Sequence, residues 1–177
     1  MRELELTAVR RLTAAEYADA VPALAELFAE TVAAGASMGF LHPFTPADAA
    51  VYWRAQQPAV AAGGSVVWTA HGPGGELTGM VTLVLCAKQN GAHRAEVVKL
   101  MVARQARGRG TAGRLLAAAE QGARQAGVRL LMLDTETGSP AERLYQRDGW
   151  TRYGTVPRYA AGPAGALGEC SFFYKEL

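Results

Sequence analysis

The chain has 177 residues, half of them hydrophobic and 19% charged, the make-up of an ordinary globular protein with enough chain to bury one core. Lys and Arg number 18 against 16 Asp and Glu, a net charge of +2. That is too small a basic excess for a duplex-binding protein, and no apolar run approaches the ~18 residues of a membrane span.

"ELELTAVRRL" alternates weakly and predicts a first strand. "TAAE", Thr13 to Glu16, has the form of a capping box and predicts a helix towards Val32, with Leu24, Leu27 and Phe28 on its apolar stripe. Pro22 falls inside it, which predicts a kink or two shorter helices. "GASMGF", Gly35 to Phe40, reads as a loop. "TPAD", Thr45 to Asp48, starts a second helix that ends by Gly63. "SVVWTAH" and "LTGMVTLVLCA" around the "GPGGE" turn predict a hairpin, and "RAEVVKLMVA" follows as the next strand after an Asn-Gly turn.

A helix then runs to about Ala126 and stops at Gly127. "VRLLMLD" is a short apolar strand, "SPAE" starts a capped helix, and "WTRYGTVPRYA" and "ECSFFYKEL" read as two closing strands. No linker or repeat divides the chain, so one domain over 1–177 is expected. No basic-then-apolar leader is visible, and a cytoplasmic protein is the expectation. Cys86 and Cys170 sit in apolar runs and read as buried thiols. With His42, His71 and His93 far apart in sequence, no metal site is expected.

The basic residues are locally dense. Arg104, Arg107, Arg109 and Arg114 fall within eleven positions. Gln105 to Gly110 reads Q-A-R-G-R-G, between an apolar strand and a helix start. Gly108 and Gly110 can adopt positive φ and let backbone N–H groups approach a ligand. A helix start leaves its first N–H groups unpaired. Together these features predict an anion cradle. A Walker loop does not fit, because the Gly-Lys-Ser/Thr ending is missing. Gly108, Gly110 and Gly113 do give G-x-G-x-x-G, but only one strand–helix–strand unit is present, too few for a dinucleotide fold.

The strand "EVVKLMV", the Q-x-x-G-x-G turn, a helix, a short strand and "AERLYQRDGW" together resemble the GNAT (GCN5-related) N-acetyltransferase superfamily. "GASMGF", "NGAHRAEVVKLMV", "ARGRG", "LDTETGSPAE" and "GTVPRYA" are similar, within it, to the tabtoxin-resistance acetyltransferases. The resemblance implies the GNAT α/β fold: a mixed, twisted sheet of about seven strands with helices on both faces. It implies acetyl-CoA as cosubstrate. Arg107, Gly108, Arg109, Gly110, Thr111 and Ala112 would hold its diphosphate, and Leu100, Met101 and Val102 would pair with its pantetheine arm.

Acetyl transfer to an amine requires a base, a proton for the departing thiolate and a donor to the carbonyl. Glu96 is a carboxylate among Val98, Leu100 and Val102, taken as the same strand face; burial would raise its pKa. Asp134 ends the apolar run "LLMLD", where ligands sit in α/β sheets. The resemblance implies that Glu96 and Asp134 are bases and that Tyr145 protonates the thiolate. It also implies a small acceptor with an amine or hydroxyl, the tabtoxin-derived β-lactam first. The alternatives are a protein N-terminal amine, another metabolite amine, or a coenzyme A-binding regulatory domain. A homodimer through an unpaired C-terminal strand, "CSFFYKE", is a further expectation.

Overall fold

The computed structural model describes residues 8–177. The first predicted strand appears as β1, Ala8–Arg11; its earlier part, residues 3–7, lies outside the described residues. Helices α1 (Ala14–Ala33) and α2 (Pro46–Ala61) follow. Both open on closed capping boxes. Thr13 accepts from the Glu16 N–H while the Glu16 carboxylate accepts from the Thr13 N–H, and Thr45 and Asp48 repeat the exchange. Helix α1 does not split at Pro22. The proline and Ala18, whose carbonyl loses its helical donor, both lie on the exposed face, where water replaces that donor.

The remaining elements are β2 (Ser65–His71), β3 (Leu77–Leu85), β4 (Arg94–Val102), α3 (Thr111–Gln125), β5 (Leu130–Glu136), α4 (Pro140–Arg147), β6 (Thr151–Ala161) and β7 (Leu167–Glu176). They form one seven-stranded sheet in the order β1-β2-β3-β4-β5-β7-β6. This is the GNAT-type α/β architecture expected from the sequence. Strands β4 and β5 pair in parallel across α3; the other neighbours pair antiparallel. The C-terminal strand is not an open edge. β7 is paired on both sides, by β5 and β6, and on that side the edge strand is β6. A dimer through a free β7 is therefore ruled out.

Two cores cover the two faces. One packs Leu115 and Leu116 of α3 and Tyr145 of α4 against Val81, Leu83, Val97, Leu131 and Phe173 of the sheet. The other packs Tyr17, Phe28 and Trp53 of α1 and α2 against Val67, Met80 and Met101. Each such fully buried side chain contributes roughly 1.5–3 kcal/mol over exposure. Met38 and Phe40 pack against the second core and Trp68 lies inside the first, so none of the three lines the cavity walled by Glu96 and Asp134.

A bulge in β4 decides which residues share a face. Thr82 pairs with Val98 and Met80 with Met101, so one residue of β3 faces two of β4, Lys99 and Leu100. Lys99 takes φ 53° to make it. Before the bulge Val97 faces the α3 side and Glu96 the α1–α2 side. After it, Leu100 and Val102 face the α3 side and Met101 the α1–α2 side. The simple alternation that grouped Glu96 with Leu100 and Val102 fails, because the extra residue shifts the pleat by one.

Candidate active site

Strands β4 and β5 pair over three positions only: Arg94 with Leu130, Ala95 with Leu131 and Glu96 with Met132. Beyond Glu96, β4 pairs with β3 alone and β5 with β7 alone. The two parallel strands therefore splay apart, and Leu100, Met101 and Val102 have no ladder partner on the β5 side. An extended chain could add there as a strand.

At the far end of β4 the chain makes a short 3-10 turn, Arg104–Ala106, then enters α3 through Gly108 (φ 74°) and Gly110 (φ 75°). Gly110 is the N-cap and supplies no side-chain acceptor. Among the described residues, the backbone N–H groups of Gly108 to Gly113, which include Arg109, Thr111 and Ala112, donate to no protein group. A Cβ at Gly108 or Gly113 would meet nothing within 4 Å, so the space before these donors is open. Arg107 donates through Nε to the Val102 carbonyl at 3.1 Å, which holds its guanidinium beside the end of β4. Arg109 is exposed. Unpaired N–H groups, a helix dipole and two arginines suit a diphosphate.

At the near end, a cavity of about 390 Å³ opens on the α1–α2 side of the sheet. Glu96, Asp134, Arg94, Cys86, Tyr159 and Phe172 are among its walls. The two carboxylates come from adjacent strands: Asp134 lies two residues beyond Met132, the partner of Glu96. Glu96 is open to the cavity rather than buried. Its pKa is nevertheless raised, first by partial loss of solvent and then by the charge of Asp134; Lys99 offsets part of this. Cys170 donates its thiol proton to Asp134 Oδ2 at 3.3 Å and lies 3.1 Å from the Thr135 carbonyl. Burial and this carboxylate push the thiol up to about 12, which disfavours the thiolate a nucleophile needs. Cys86 is only half-buried, contrary to expectation. Contact with Arg94 lowers its pKa.

Tyr145 sits on the opposite face, in the α3–α4 core, edge-on to Trp150 with ring centres 5.8 Å apart. Burial, and secondly the charge of Asp134, raise its pKa, so the phenol keeps its proton near neutral pH. Helix α4 is fixed by Glu142. Its carboxylate accepts from Ser171 Oγ at 2.7 Å, the Gly138 N–H at 2.6 Å and Arg152 at 3.4 Å. These bonds, that to Ser171 first, lower its pKa.

The sequence reading missed two residues. Tyr159 reaches the cavity because β6 bulges at Arg158 (φ 52°) between Val156 and Ala160. Tyr159 lines the same cavity as the two carboxylates, and its pKa is raised, first by the charge of Asp134. Pro157 inside a strand pattern was the available signal for a bulge. Lys99 was legible only as a charge within the apolar run "VVKLMV". It is half-buried, and burial lowers its pKa against the raising effect of Asp134 and Glu96.

The chain matches the acetyltransferase (GNAT) family over residues 26–150. It belongs to that family. A GCN5-related N-acetyltransferase from Kribbella flavida is 25% identical, covers 98% of this chain and 99% of its own, and superposes with a TM-score of 0.78. A protein described as an acetyltransferase from Salmonella typhimurium, solved with its cofactor acetyl-CoA, is 18% identical. It covers 98% and 95% of the two chains, with a TM-score of 0.77. One described as a phosphinothricin N-acetyltransferase is 20% identical over 96% and 99%, with a TM-score of 0.79. The last two share the fold. Among the described residues no helix is long and apolar enough to cross a membrane, and no cluster of three His, Cys, Asp or Glu is placed to hold a metal ion.

Proposed function

We propose that this GNAT acetyltransferase moves an acetyl group from acetyl-CoA onto the amine of a small, amino-acid-like acceptor, by direct attack in a ternary complex. The observation that carries the reading is the splay of β4 from β5. It has an anion cradle at one end and a cavity of about 390 Å³ walled by Glu96 and Asp134 at the other. The unpaired N–H groups of Gly108 to Gly113, with Arg107 and Arg109, would hold the diphosphate. The free side of Leu100 to Val102 would hold the arm that follows it. Bound there, acetyl-CoA supplies an acyl group activated as a thioester.

This chain's residues handle the protons. The raised pKa of Glu96 makes its carboxylate a better base towards an ammonium than an ordinary surface glutamate. Asp134 holds a second carboxylate beside it, able to take the proton directly or through water. Tyr145, kept protonated by burial, holds a proton at Oη for the departing thiolate. Direct transfer needs no cysteine nucleophile.

Within this reading the tabtoxin-derived β-lactam is the first acceptor to try, because the blocks from "GASMGF" to "GTVPRYA" resemble that branch. The test is thiol release from acetyl-CoA with the lactam, a panel of amino acids and an N-terminal peptide. Release with the lactam well above the no-acceptor rate supports the full proposal. Release with another small amine keeps the mechanism and discards the lactam. Release with the peptide alone discards the small acceptor. Binding of acetyl-CoA without turnover of any acceptor would favour a coenzyme A-binding regulatory domain.

A further inference from the structure

We propose that Lys99 is a specificity-determining residue: it ties down a roof of two joined loops across the acceptor side, and that roof excludes peptide acceptors. The inference rests on the small-acceptor reading above. Lys99 occupies the β4 bulge, which turns its side chain to the face that carries Glu96. There its ammonium donates to the Met38 carbonyl at 2.9 Å. It also lies 5.5 Å, 5.6 Å and 5.9 Å from the ring centres of Tyr52, Phe28 and Phe40. A cation among three aromatic faces is attracted to each of them. Gly39, at φ 88°, brings the loop backbone so close that a Cβ there would stand 4.0 Å from Nζ. Lys99 thus fastens the loop from Gly35 to Phe44 to β4 by a hydrogen bond, beside the packing of Phe40 and Phe44 on Phe28.

The same loop is fastened at a second point. The His42 N–H donates to the Pro163 carbonyl at 2.9 Å, in the connection between β6 and β7. Strand β6 carries Tyr159, a wall of the cavity. A chain of contacts therefore runs from the β4 bulge through Met38 and His42 to Pro163. Strands β5 and β7 lie between β4 and β6, so a loop tied to β4 at Lys99 and to the β6–β7 connection at Pro163 spans the width of those two strands. A small amine can enter beneath such a bridge. A peptide, with chain on the far side of its amine, needs the bridge open. Among the described residues only the lysine links the loop to β4 by charge, and neither the Phe40 nor the Phe44 contact replaces its hydrogen bond to Met38.

The test is Lys99→Met, which keeps the apolar stem among the rings and removes the ammonium, with Lys99→Arg as the variant that retains charge and donor. The peptide-to-small-acceptor ratio of kcat/KM should rise about tenfold or more in Lys99→Met and stay near wild type in Lys99→Arg. Acetyl-CoA affinity should not change, which separates this effect from general damage. A second arm needs no turnover. Hydrogen exchange at the His42 amide should be protected in the wild type and about tenfold faster in Lys99→Met. An unchanged ratio with unchanged His42 protection overturns the proposal. So does free-loop exchange at His42 in the wild type, which decides the matter if Lys99→Met fails to fold. If the wild type acetylates no acceptor, the functional reading fails, while the exchange arm still judges the roof.

Discussion

The two ends of the β4–β5 splay are built from different material. The cradle end is main chain: six consecutive residues, Gly108 to Gly113, offer N–H groups at the start of one helix. The cavity end is side chain, drawn from β3, β4, β5, β6 and β7. A main-chain site depends on local backbone conformation, and two glycines with positive φ supply most of it. A side-chain site depends on register, and here two bulges with non-glycine residues at positive φ, Lys99 and Arg158, set the register. Holding each such residue costs on the order of 1–3 kcal/mol, which the surrounding sheet must outweigh. The comparison teaches that single side chains should dominate chemistry at one end and contribute only increments at the other.

The largest expected effect is in the cavity. Glu96→Gln keeps the shape of the side chain and removes the proposed base. Turnover should fall by about 10²–10⁴, the usual worth of a positioned general base. Calorimetric binding of acetyl-CoA should be untouched. A loss of binding in step with turnover would mean that the two ends are not separate.

A smaller effect is expected in the cradle. Arg109→Ala removes one exposed charge and leaves every N–H donor in place. The KM for acetyl-CoA should rise about tenfold at low salt, less at high salt, with kcat nearly constant. A collapse of kcat would show that the cradle acts on the chemistry and would break the contrast.

The smallest effect is a displacement of the pH profile. Glu96 must be deprotonated to accept a proton, so activity falls as pH drops through its raised pKa. The Asp134 charge is one cause of that rise. Removing it with Asp134→Asn lets the Glu96 pKa drop. The acid limb of kcat/KM should therefore move to lower pH, by less than about one unit, whatever happens to the maximum rate. A limb that stays in place, or moves up, would show that the two carboxylates do not sense each other during turnover.

Much of this molecule was legible in the sequence because its signals are local. Thr13 with Glu16 and Thr45 with Asp48 close their capping boxes within one turn. Gly108 and Gly110 adopt the positive φ that the Q-A-R-G-R-G turn called for. The order of strands and helices followed from hydrophobic period and turn residues. The misreadings are of another kind. Pro22 did not split α1, because the sequence showed the proline but not that it faces water, which lets the helix run on. The sequence showed "CSFFYKE" as a strand but not that β6 would take the edge and leave β7 inside.

For the site, chain order alone brought Glu96 and Asp134 into view as carboxylates at strand positions, and the cradle as a run of six residues. What placed the two carboxylates on one cavity wall was the parallel pairing of Glu96 with Met132. What added Tyr159 and Lys99 was a pair of bulges, each a mismatch between one strand and its neighbour. A bulge belongs to two strands at once, so neither strand's own pattern can announce it. The sequence by itself determined the elements, their order and the glycine turn that leaves the first N–H groups of α3 unpaired, because each depends on residues a few positions apart. The tertiary structure decided which side chains share the cavity, because that depends on the register between segments tens of residues apart.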